Sequence, residues 1–169
     1  MTAKKGKIIF TVINALIFFA LFILHYTDFI SIKIANANPF IPLAFFVAIC
    51  MFCSEISAFF SGLICGIVID TSASTYIGFN SILFMIIGLI VAFTVHYLFN
   101  NNIRSCITLS LICTAVYFLM RWLFFHAFGI GFGNSVNYLL TITLPSIIYT
   151  FIFVIPFYYF ERFLKSKLY

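Results

Sequence analysis

Charge is what this sequence has least of. Its 169 residues include nine Lys and Arg and four Asp and Glu, so 8% are charged and 64% are hydrophobic. A soluble domain carries about 25% charged and roughly 45–50% apolar residues. So few charges cannot coat a water-exposed particle of 19.3 kDa. That excludes a soluble globular enzyme, a disordered tail and a nucleic-acid module. An integral membrane protein remains, with lipid as the solvent for most of its surface.

Other absences narrow the chemistry. There is no Ser–His–Asp set, no pair of catalytic carboxylates and no H-E-x-x-H. No series of acids runs across the apolar segments, which argues against a proton or ion pump. The five cysteines (Cys50, Cys53, Cys65, Cys106 and Cys113) are odd in number and lie within apolar runs. They read as small buried hydrophobes, not a disulfide framework. Cys50 and Cys53 make a lone C-x-x-C with no second pair to complete a metal site. Gly129, Gly131 and Gly133 imitate a phosphate loop but lack the lysine and the preceding strand. The expectation is a chain without catalysis, cofactor or metal.

What is present is a series of apolar runs. At about 20 residues per crossing, the length allows five to seven helices. Hydropathy places them at about 8–26, 40–54, 56–70, 78–99, 105–126 and 138–161, in one transmembrane domain over 1–169. Residues 1–7 and 161–169 form basic ends. The first run is too long for a signal-peptide core, and the only A-x-A, at Ala35 and Ala37, lies well past it, so an uncleaved helix is expected. Pro145 and Pro156 should kink the last helix, because each removes a backbone hydrogen bond.

The 40–69 stretch is long for one crossing and short for two, and charge decides how it counts. Lys4, Lys5, Lys7, Arg104, Arg162, Lys165 and Lys167 should face the cytoplasm. Both ends share a side only if the crossings are even in number, and Arg104 agrees only if four precede it. The reading is an all-α polytopic membrane protein of six helices, the second and third short. A re-entrant hairpin over 40–69 gives the same parity. The basic ends also suit anionic lipid headgroups.

Ala58, Gly62, Gly66 and Asp70 recur every four residues. Small residues at this interval make a shallow groove in which another helix backbone can approach closely. The groove serves either a second protein or a neighbouring helix of the same chain. Asp70 ends its helix, where the partial negative charge disfavours a carboxylate. Arg121 lies 17 residues beyond Arg104, roughly 25 Å along a helix, at the depth expected for Asp70. Either the two pair, or each reaches the outer headgroups. Glu55 falls at the turn between the second and third helices, within reach of Arg104 or the N-terminal lysines.

Residues 58–93, AFFSGLICGIVIDTSASTYIGFNSILFMIIGLIVAF, resemble the MreD family of rod-shape determining membrane proteins. The shared pattern is a Gly-x-x-x-Gly helix ending in aspartate, a few polar residues, then a glycine opening the next helix: Gly62, Gly66, Asp70 and Gly78. Residues 143–165 resemble the family's last helix, with a Leu-Pro start and a basic finish. The resemblance implies a non-catalytic scaffold in the bacterial cytoplasmic membrane, with both termini cytoplasmic, that docks the single-pass protein MreC. It acts with RodA, a class B penicillin-binding protein and MreB in peptidoglycan synthesis and cell shape. Ala58, Gly62, Gly66, Asp70 and Gly78 are then the expected contact, with MreC or with a second copy of the chain.

The family's arrangement is also similar to the substrate-binding subunits of energy-coupling-factor vitamin transporters, which supplies the alternative. Their usual Ala-x-x-x-Ala on the first helix is missing, since Ala15 and Ala20 are five apart. Asp70, Asn80, Arg121, His126 and Asn134 could nevertheless gather at the outer end around a ligand.

Overall fold

A computed structural model describes residues 3–27, 39–72, 78–98, 102–127 and 137–168, without the side chains of 3, 4, 7, 126 and 127. The helices are α1 (Ala3–Tyr26), α2 (Ile41–Cys50), α3 (Glu55–Ser72), α4 (Phe79–Tyr97), α5 (Ile103–Trp122) and α6 (Leu144–Leu168). Two π-helical turns extend them: Leu123–Ala127 follows α5, and Leu139–Thr143 leads into α6. There is no strand among the described residues. Lipid offers the backbone no hydrogen bonds, so a helix, which satisfies its own, is the form these apolar runs take.

Five helices are long and apolar enough to cross a membrane: Ile8–Tyr26, Glu55–Ser72, Phe79–Tyr97, Ile103–Phe125 and Leu139–Leu168. The chain is a multi-pass membrane protein. α1 shows how the sequence divides its faces. Ile8, Val12, Leu16, Phe19 and Ile23 are exposed, while Phe10, Asn14, Phe18 and Phe22 turn inward. Three- and four-residue steps place each set on one side of the helix.

α2 departs from the expected crossing over 40–54. It has ten residues, all of them buried. At 1.5 Å per residue it is about 15 Å long, half the hydrocarbon thickness of roughly 30 Å. Pro42 in its first turn removes no internal bond there. The Phe40 N–H just ahead of α2 donates to Thr150 Oγ1 of α6 at 2.9 Å. At the other end, Lys165 of α6 donates to the Phe52 carbonyl at 3.2 Å and lies over the Phe52 ring. The centre of the bundle is therefore a short helix pinned at both ends to α6.

Successive helices run in alternating directions. Glu55 at the start of α3 lies 3.9 Å from His96 in the last turn of α4, and the end of α3 meets the start of α4. Gly6 approaches the Leu168 carbonyl so closely that a Cβ there would sit 2.6 Å from the oxygen. Both termini and the α2–α3 turn thus share one end of the bundle, here the near end. The basic ends are not separate tails. α1 begins at Ala3 and α6 continues to Leu168, with Lys165 and Lys167 in its last turn, where the helix dipole favours cations.

Pro145 stands just after the π turn Leu139–Thr143, and Pro156 lies inside α6. A widened turn relieves the clash between a proline ring and the carbonyl four residues earlier.

Candidate functional site

The groove on α3 is filled by α4. Ala58, Gly62, Gly66 and Asp70 are all buried, and α3 with α4 forms the most extensive helix pair of the bundle. A Cβ on Gly62 would lie 2.5 Å from the Phe84 carbonyl oxygen. One on Gly66 would strike the Ser81 backbone, and one on Gly88 of α4 would lie 2.7 Å from the Ala58 carbonyl oxygen. The small residues interlock two backbones of one chain. Of the two uses the spacing allows, Ala58, Gly62 and Gly66 serve the neighbouring helix of the same chain, while Gly78 has no atom within 4 Å of a would-be Cβ.

Asp70 finds its partners in the first turn of α4. Oδ2 accepts from the Gly78 N–H at 3.1 Å, the Ser81 N–H at 3.0 Å and the Ser81 hydroxyl at 2.6 Å. Oδ1 accepts from the Asn80 N–H at 3.1 Å and from Asn80 Nδ2 at 2.9 Å. A helix start leaves its first N–H groups without internal partners. Gly78, the N-cap of α4, has no side chain to serve them. Asp70 serves them from the preceding helix. Its charge, poorly placed at the end of α3, is well placed against the positive end of α4. Gly78 adopts φ 100°, ψ −15°, a left-handed conformation that glycine alone takes without steric cost.

No ion pair joins Asp70 to Arg121 among the described residues. Asn80 Oδ1 accepts from the Tyr117 hydroxyl at 2.8 Å. Asn80 and Tyr117 thus tie Asp70 to α5, four residues before Arg121. The Tyr117 ring, 1% exposed, stacks on Phe40 at 5.3 Å and meets Phe84 edge-on at 5.8 Å. The polar chain thus rests on an aromatic floor that includes the start of α2. Tyr117 is absent from the sequence reading, because a tyrosine in an apolar helix gives no sign of where its hydroxyl points.

Of the polar residues considered for a vitamin pocket, Asp70 and Asn80 bond each other, and Arg121 is exposed. The His126 side chain and Asn134 lie outside the described residues, as does the glycine loop at 129–133. Glu55 meets His96 rather than Arg104. All five cysteines are free thiols.

A second buried polar pair lies toward the near end. Asn14 Nδ2 of α1 donates to Glu161 Oε2 of α6 at 3.1 Å. Glu161 is fully buried. The sequence reading assigned Glu161 to a basic tail because Arg162 and Lys165 follow it. Asn14 gave one faint signal, as the one amide in the first apolar run.

No protein-family model matches the chain, and no curated protein or solved structure matches it significantly.

Proposed function

We propose that this chain is a membrane scaffold of the bacterial cell-wall elongation machinery, of the MreD kind, that docks MreC and acts beside RodA, a class B penicillin-binding protein and MreB. One observation carries the reading. The residues on which the resemblance rests, Gly62, Gly66, Asp70 and Gly78, form a single physical joint. Two glycines let α3 and α4 touch, and the aspartate caps the helix that the third glycine opens.

Such a joint gives a scaffold a stiff hairpin. The inner face of α3 is occupied, so docking belongs to the outer one, where Ile56, Phe60, Ile64 and Ile67 are exposed. Apolar faces gain little from leaving lipid, and association then depends on close packing against a surface that does not yield. The basic residues at the near end support a cytoplasmic placement for both termini.

The test is purification of a tagged chain in mild detergent with identification of its companions. MreC with cell-wall enzymes is the expected result. A transporter core with paired ATPases would replace this reading with the vitamin carrier. In a rod-shaped host, depletion should round the cells, and unchanged rods would count against the proposal.

A further inference from the structure

Asn14 of α1 and Glu161 of α6 share a hydrogen bond from Nδ2 to Oε2 at 3.1 Å. The other oxygen of each group, Asn14 Oδ1 and Glu161 Oε1, has no hydrogen-bond partner and no surface open to water. Covalent geometry keeps both oxygens at the same contact between the first helix and the last. Two acceptors sealed together without a donor are unfavourable.

Asp70 shows what a buried carboxylate charge requires in this chain. It accepts from three N–H groups, one hydroxyl and one amide. Glu161 is fully buried and accepts from one amide. Its surroundings offer no counter-charge. On α6, Arg162 is exposed, and Lys165, one turn on, gives its ammonium to the Phe52 carbonyl. On α1, Asn14 is neutral and Lys5 is exposed. α2 and the turn after it bring the Cys50 and Cys53 thiols toward Glu161. On α5, Arg104 is exposed and Cys106 is a buried thiol. Among the described residues no cation lies within ion-pair distance of Glu161. A proton on Oε1 removes both deficits. The neutral acid donates to Asn14 Oδ1, Oε2 still accepts from Nδ2, and no charge is sealed from water.

We infer that Glu161 holds a proton in the folded chain and closes a two-bond ring with Asn14, so that the seam between α1 and α6 is a proton-binding latch. Loss of the proton to water at the near end leaves a carboxylate facing the amide oxygen. Repulsion then replaces a hydrogen bond, and α1 loosens from α6. The inference rests on α1 and α6 and is independent of the scaffold role.

The chain has two glutamates, Glu55 and Glu161. The test uses full-length protein, isotope-labelled at its glutamate carboxyls, in phosphatidylcholine nanodiscs. With Glu55→Gln in place, Glu161 alone reports. A carboxylic-acid carbonyl band should persist in the infrared spectrum in buffer where free glutamate is ionised, and should vanish as the buffer is made alkaline. Thermal unfolding in detergent is the second readout. An unfolded chain that has released the proton binds fewer protons than the folded one, so stability falls as pH rises, by at most about tenfold in the folded-to-unfolded ratio per pH unit. Glu161→Gln keeps both bonds, because its amide N–H replaces the acid O–H. Its midpoint should match wild type in acidic buffer and exceed it in alkaline buffer. The infrared measurement leaves the pair intact, so it decides even if Glu161→Gln fails to fold. Absence of the acid band where free glutamate is ionised, or midpoints of wild type and Glu161→Gln that run parallel across the titration, would each overturn the inference.

Discussion

Asp70 does more for α4 than for the helix to which it belongs. Its carboxylate holds three N–H groups, one hydroxyl and one amide of the following helix. Asp70→Ala strips all five donors at a site that is 4% exposed. The expected loss is about 3–5 kcal/mol, since a buried donor left unpaired costs roughly 1–3 kcal/mol. Thermal unfolding in detergent, followed by size-exclusion chromatography, measures it. Asp70→Asn keeps the shape but turns an amide toward donors, so its midpoint should fall between wild type and Asp70→Ala. Gly78→Ala meets no neighbouring atom within 4 Å but must adopt φ 100°, and should cost about 1–2 kcal/mol through backbone strain alone. At this scale the sequence was half legible. The depth of Asp70 and Arg121 follows from counting residues along helices, and the bond from Asn80 to Tyr117, four residues before Arg121, is consistent with that depth. Counting along an axis says nothing about lateral position, and the partners of Asp70 are Asn80 and the start of α4.

At the scale of helices, the small-residue stripe was visible but its occupant was not. A groove for a helix has the same spacing whether that helix is in the same chain or in another. Substitution distinguishes the two. Gly62→Leu drives a side chain into the Phe84 backbone. It should lower the amount of folded protein sharply and cost about 2–4 kcal/mol, as overpacking at a backbone contact does. Phe60→Leu, on the exposed face of the same helix, should stay within about 0.5 kcal/mol of wild type. If Gly62→Leu left the unfolding midpoint unchanged, the α3–α4 joint would not be what holds the hairpin. α2 was less legible. Hydropathy makes residues 40–54 look continuous, because the turn at 51–54 (Met-Phe-Cys-Ser) is nearly as apolar as the helices beside it. Only the hydrogen bonds from Phe40 to Thr150 and from Lys165 to Phe52 mark its true length.

For the whole molecule, alternation of direction brings Gly6 beside Leu168. Cysteines introduced singly at Lys5 and at Lys167 should therefore react with a membrane-impermeant maleimide from the same side of sealed vesicles. A cysteine at Arg104, next to the start of α5, should react from that side too. Labelling of Lys5 and Lys167 positions from opposite sides would contradict the arrangement. The even parity inferred from scattered bases is the part of the architecture that sequence carries best, since few charges leave few ways to place them. The pairing of helices is carried least, because most of the surface is equally apolar.

α2 also bears on how the chain is made. A ten-residue helix, buried on every side and most extensively packed on α6, cannot rest in the bilayer as an independent span. Ribosomes deliver it about a hundred residues before its main support. Its stable position must wait for the final helix to arrive, so a transcript truncated ahead of residue 144 should yield a product lacking its own centre. The last segment synthesised thus decides whether the second one is ever in place, and quality-control proteases acting on unfinished chains would find that segment first.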